Sequence, residues 1–356
     1  MTQLLVDNSK AATPRRRVDG SDTRSSVFAR AGKFGLPILL VVVFVGFSVA
    51  RPGEFATWQN IKETLYQESP VVIGCFAVML PLLTGSIDLS VAANMSLGNI
   101  LLAELATSGH MSLALAICIS IISCALVGFL NGLVVERLQV DSFVATLGMA
   151  TVLSGVGLAI SHSTDIVTVP SGITTLARQT VFGLPLSILY AAVAALLVGA
   201  ILRYLPVGRK LRAVGANRRA AALTGIRPGV YTVVSFTLGG ALAGIAGVIL
   251  TGQLGSATAS GTADSLLLPI FAAVYLGSTA FTPGRLNVPG IIVAALFLAF
   301  TSSGLVLLGA AQWESPLING AALIIAVALS AWALRLRARR FRALQLRGLD
   351  RSDGVT

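Results

Sequence analysis

The sequence predicts an all-α, polytopic helical membrane protein with about ten transmembrane helices and both termini in the cytoplasm. Three observations carry that expectation. Hydrophobic residues make up 55% of the 356 positions and charged residues only 12%, whereas soluble domains carry about 25% charged residues. Apolar runs recur at close to the roughly 20 residues that a helix needs to cross about 30 Å of hydrocarbon. The basic residues gather in three clusters set apart by those runs.

Taken in order, residues 1–33 contain seven basic side chains and no apolar periodicity, which reads as a disordered basic cytosolic tail. No cleavable signal is apparent ahead of the first apolar run, so that run is expected to act as an uncleaved anchor. The expected spans are 34–50, 69–84, 89–107, 111–135, 143–161, 186–205, 230–251, 265–281, 288–309 and 317–334. Together they form one transmembrane domain, 34–334, whose outer segments 51–68 and 162–185 are too short to be domains of their own. Residues 335–356 follow as a basic cytosolic tail, partly an amphipathic helix resting on membrane lipid. Glycine is abundant at 36 residues, and Gly128 with Gly132 and Gly240 with Gly244 form GxxxG pairs. Such pairs are either helix-packing sites or chance in a glycine-rich chain.

The longest hydrophilic island between spans lies at 203–229, with seven basic residues and no acidic one. Lys and Arg in short loops resist translocation, so this island belongs in the cytoplasm. With an even number of spans before and after it, all 26 basic residues except Arg51, Lys62 and Arg178 fall on the cytoplasmic side. Topology thus accounts for the net charge of +11 without a nucleic-acid partner. The island contains a helix-prone stretch, Arg218 to Leu223, and is punctuated by Gly215, Gly225 and Pro228.

Between the second and third spans the chain turns within Gly85 to Asp88. Asp88 either caps the helix that follows or marks a broken helix that lines a solute path. Asp88, Ser90 and Asn94 are therefore the candidate translocation or gating residues. Asn94 and Asn99 could equally bond to a neighbouring helix.

Catalytic patterns are missing. There is no GxxxxGK[ST], HExxH or GxSxG, so no catalytic residue is expected. Cys75, Cys118 and Cys124 lie in apolar runs without CxxC spacing and read as small hydrophobes. His110 and His162 stand alone, and no metal site is expected. Ionisable residues inside the expected spans are few: Asp88, Glu104, Glu136, Arg137 and Arg203 all fall at span ends. A proton-coupled carrier needs such groups within the membrane, so the driving force is expected from a separate motor docked on the basic island. A secondary carrier or facilitator for a small polar solute is the alternative, and a membrane scaffold or receptor a third.

Four segments resemble the permease subunits of ribose-type ATP-binding-cassette (ABC) sugar importers. TGSIDLSVAANMSL at 84–97 is similar to the family's TGGIDLSVG, and Phe143 with Ala145, Thr146, Leu147 and Gly148 to its FIATLG. AVGANRRAAALTGI at 213–226 resembles the cytoplasmic GGNxxAAxxSGI, with Gly215, Asn217, Ala220, Ala221, Gly225 and Ile226 matching. FAAVYLGSTAFTPGRLNVPG at 271–290 resembles the AIAAVVLGGTSLxGGxG region. Ser86 and Ala92 stand where that family has glycines, Arg218 and Arg219 fill a variable pair that often includes an acidic residue, and Pro283, Gly284 and Arg285 replace paired glycines.

The resemblance implies a multi-pass protein of the bacterial inner membrane that imports a sugar. It implies pairing with a second permease copy or paralogue, an ABC ATPase docked on loop 206–229, and a periplasmic sugar-binding protein at the outer face. It implies no cofactor on this chain, since ATP and Mg²⁺ would be bound by the ATPase. The matching small residues of the loop are expected to touch that motor.

Overall fold

The computed structural model describes residues 21–108, 111–311, 313–314, 316–318, 320–322 and 324–325. It is built of helices: α1 (Ser21–Ala50), α2 (Trp58–Leu83), α3 (Val91–Thr107), α4 (Leu113–Arg137), α5 (Ser142–Ile160), α6 (Ser171–Arg178), α7 (Leu186–Tyr204), α8 (Pro206–Ala216), α9 (Arg218–Leu223), α10 (Pro228–Leu254), α11 (Leu267–Gly277) and α12 (Val288–Leu307). Two two-residue strands, Thr180–Val181 and Leu184–Pro185, pair antiparallel between α6 and α7. Among the described residues, six helices are long and apolar enough to cross a membrane, and three more segments, Phe34–Ala50, Val91–Thr107 and Asp264–Gly277, are apolar but shorter. The expected tenth span, 317–334, falls largely outside the described residues, as do the basic tail 335–356, residues 1–20 and His110.

Helix boundaries follow local chemistry. Thr57, Ser112, Asp141 and Asn287 each accept a backbone N–H of the first turn of α2, α4, α5 and α12, which satisfies donors that have no partner inside the helix. Pro206 and Pro228 open α8 and α10, where a missing N–H costs nothing.

Helices α10 and α2 form the centre. Every residue of α2 from Ser69 to Pro81 is buried, as suits a helix that is apolar all round. The glycine face of α10 lies on α4 and α3. A Cβ on Gly128 would collide with the Phe236 carbonyl and come within 3.1 Å of the Gly240 Cα, and one on Gly132 would lie 2.7 Å from the Val233 Cα. Gly244 meets Ile121 and Cys124 in the same way. The two GxxxG pairs therefore form one crossing, in which small residues let two backbones touch. Helices α4, α5 and α7 turn Ile122, Leu126, Val144, Leu196 and Leu197 outward, the surface that a membrane protein offers to lipid.

Three expectations need correction. Helix α2 starts at Trp58, so the outer segment expected at 51–68 shrinks to 51–57, because the Thr57 cap lets a polar turn extend the helix beyond its apolar run. Helix α1 begins at Ser21, inside the stretch read as disordered. The apolar run 265–281 is helical only over α11, after a 3-10 turn at Asp264–Leu266.

Candidate functional site

Three of the four motif segments converge. Asn217 ends α8 and caps α9, accepting the Ala220 N–H at 3.0 Å. Helix α9 ends at Gly225, whose φ of +82° is the left-handed conformation that favours glycine. The Ile226 N–H then reaches back to the Ala221 carbonyl at 3.2 Å and the Gly225 N–H to that of Ala222 at 3.0 Å, a Schellman-type close. One motif therefore encodes a short helix with a cap at each end.

The small residues do not all lie free at the surface: Ala221 is buried, and Gly215, though exposed, packs its Cα against α2. A Cβ at Gly215 would collide with the Leu83 carbonyl and lie 3.3 Å from the Thr84 carbonyl carbon. Ala221 is buried at 5% exposure. Both fasten the loop to the membrane domain. Ala220, Ala222 and Gly225 are exposed, Ile226 is half-buried, and Leu223 is 90% exposed at the tip. Leu223 escaped the sequence reading because one leucine in a small-residue helix carries no periodicity. Arg218 pairs with Glu136 at the end of α4, so it is held within the chain and needs no acidic group from a partner.

The turn that Gly215 touches is the one that carries Asp88. Asp88 is 2% exposed. Its Oδ1 accepts the Ser90 N–H at 2.9 Å and the Ser90 hydroxyl at 2.6 Å, and Asn131 of α4 donates to that hydroxyl at 2.8 Å. Asp88 is not the cap of α3: Ser90 occupies that position without a side-chain cap bond, and Asp88 shapes the turn ahead of it. Ser142 and Thr146 of α5 accept the Ile87 and Leu89 N–H groups, each at 3.0 Å. Asn94 donates to the Cys124 carbonyl at 3.0 Å, and the Cys124 thiol donates to the Asn94 carbonyl at 3.3 Å, so Asn94 ties α3 to α4. Gly85, with φ +87°, is the left-handed residue of the turn. Ser86 has no such φ, so losing a glycine there leaves the turn unstrained.

Two hollows lie elsewhere along the spanning helices. One of about 290 Å³ runs between α3, α5 and the start of α11, with Asp264 and Thr151 in its wall. Another of about 660 Å³ lies between the start of α2, α6 and the end of α10, and is lined by Lys62, Glu63, Tyr66, Arg178 and Gln253 among others. Among the described residues no group of three or more His, Cys, Asp or Glu could hold a metal ion.

The profile of a permease family described as "Branched-chain amino acid transport system / permease component" matches residues 60–327. The chain belongs to this family. It is 32% identical to the ribose import permease protein of Bacillus subtilis (strain 168), covering 85% of this chain and 93% of that one. It is 30% identical to a probable ABC transporter permease protein of Escherichia coli (strain K12), covering 90% and 95%. It is 26% identical to the D-allose transport system permease protein of the same strain, covering 89% and 97%. No solved structure matches the chain significantly. As a member of this permease family with several apolar spans, the chain is a multi-pass protein of the inner membrane.

Proposed function

We propose that this permease is the membrane-spanning subunit of an ABC importer that carries a sugar or sugar-like solute into the cytoplasm. A separate ATPase binds ATP and Mg²⁺ and drives it, an extracytoplasmic binding protein feeds it, and a second permease copy or paralogue completes the path. The chain itself carries transport and no catalysis. The observation that carries this reading is the α8–α9 unit. It is basic, rigidly capped, fastened at Gly215 to the turn that contains Asp88, and tipped by an exposed leucine. A partner groove that takes up the Leu223 side chain gains about 1.5–3 kcal/mol from its burial. Relatives named for ribose and allose support a sugar as the solute, and in this reading the large hollow at the start of α2 faces the binding protein.

The coupling role is tested by Leu223→Asp in vesicles that contain the permease, its ATPase and its binding protein. The variant is expected to insert normally, to release the ATPase on detergent copurification, and to lose ATP-driven sugar uptake. Uptake at the unsubstituted rate refutes the coupling assignment. Uptake that persists after ATP depletion establishes a facilitator instead.

A further inference from the structure

The hollow between α3, α5 and α11 brings a carboxylate and two hydroxyl side chains to one groove beside the spanning helices. Its floor is Ala92 and Ala93 of α3; one wall holds Thr151 and Ser154 of α5, and the other begins at Asp264. Thr151 and Ser154 sit midway along α5, so they lie near mid-membrane, and both are exposed. Val152, on the opposite flank of α5, is exposed too but apolar. The Thr151 and Ser154 hydroxyls donate to the Leu147 and Ala150 carbonyls of their own helix and keep acceptor lone pairs for the groove.

Asp264 supplies the charge. Helix α11 has 11 residues, about 16 Å at 1.5 Å per residue and roughly half a membrane crossing. Its first turn starts beside Ser96, inside α3, and not at a helix end: Ser96 donates to the Asp264 Oδ1 at 3.1 Å, and the Ala263 N–H donates to Ser96 at 3.0 Å. Residues 255–263 thus descend into the protein, held by Asn99, which bonds to the Ser256 carbonyl and the Thr262 hydroxyl. Gly261 has a φ of +95°, and a Cβ there would lie 2.7 Å from the Asp264 Oδ2. Glycine keeps that oxygen accessible, and it has no partner among the described residues. Non-helical backbone at membrane depth occurs where it lines a water-filled path or a binding site.

We propose that this groove is the solute path, and that Asp264 binds hydroxyls of a neutral polyol there, with Thr151 and Ser154 opposite. This rests on the sugar-importer reading and makes it more specific. An ionised carboxylate with a free oxygen accepts strong, charge-assisted hydrogen bonds from hydroxyl groups. No Lys or Arg lines the groove, and the positive end of α11 already faces Asp264, so the carboxylate of an amino acid finds no counter-charge. The chemistry favours a sugar over the amino-acid solutes named in the family's description.

The test uses the full chain with a Cys118→Ser background, since Cys75 and Cys124 are buried. Thr151→Cys, Ser154→Cys and Val152→Cys are each treated with a membrane-impermeant thiol reagent in vesicles that contain the ATPase and binding protein. Labelling is expected at 151 and 154, at least tenfold slower at 152, and slowed by a panel of pentoses and hexoses but not by leucine. In parallel, Asp264→Asn, which retains the bond from Ser96, is expected to raise the KM for sugar uptake about tenfold or more while the protein still copurifies with its ATPase. Inert cysteines at 151 and 154 overturn the path, and so does protection by leucine alone. An unchanged KM overturns the role of Asp264. If the three cysteines behave as expected but the unsubstituted protein takes up no sugar of the panel, the groove is an aqueous path and the importer reading is the part that fails.

Discussion

Gly215 presents its Cα directly to the Leu83 carbonyl, and that contact joins the cytosolic loop to the Asp88 turn. Even one added methyl must push α8 away from α2. We expect Gly215→Ala to destabilise the protein by about 1–3 kcal/mol, the usual cost of overpacking, and to uncouple ATP hydrolysis from uptake. The check is the ratio of sugar imported to ATP consumed, which a merely unstable protein leaves unchanged per folded molecule. Asp88 offers a complementary case. Its contacts are accepted hydrogen bonds from the Ser90 N–H and hydroxyl, and the side-chain oxygen of asparagine accepts both. Asp88→Asn is expected to keep the fold and most uptake. Asp88→Leu strands the Ser90 donors in a buried turn, at about 1–3 kcal/mol, and is expected to lower the melting temperature in detergent. A loss of uptake in Asp88→Asn with an unchanged melting temperature overturns this account and gives the charge itself a role in gating.

At the scale of elements, the α4–α10 crossing depends on glycines that meet in pairs. Gly128→Leu or Gly240→Leu forces backbones apart, and either is expected to abolish a cooperative melting transition. Gly148→Leu, with nothing near its Cβ, is expected to melt like the unsubstituted protein. Equal losses at all three positions contradict the close approach. These pairs also show how much a sequence reader could see. Spacing marked Gly128, Gly132, Gly240 and Gly244 as candidates, but a one-dimensional pattern does not say which helix receives which face. The same holds for the motif loop. Its helical stretch and terminal glycine were legible because local backbone chemistry decides them. The close approach of Gly215 to Leu83 was not, because it is decided by α2, more than a hundred residues away. Asp264 was hidden for another reason: hydropathy averages over an apolar run and does not register that its first turn unwinds beside Ser96.

For the molecule as a whole, charge and contact agree on orientation. The basic loop α8–α9, the Asp88 turn and the end of α4 meet at one face through Gly215, Arg218 and Glu136. The start of α2, α6 and the end of α10 meet at the other, around Arg178 and Gln253. Lys and Arg resist translocation, so the first face is expected in the cytoplasm, and an even number of crossings on each side of the loop then puts both termini there. In a Cys118→Ser background, Glu54→Cys in the exposed 51–57 loop is expected to react with an impermeant maleimide on intact cells. Arg219→Cys, exposed on α9, is expected to react only after permeabilisation. The reverse pattern inverts the whole assignment, and with it the side on which an ATPase could dock. Reaction at both positions on intact cells breaks the parity argument, because one cluster of arginines would then have crossed the membrane.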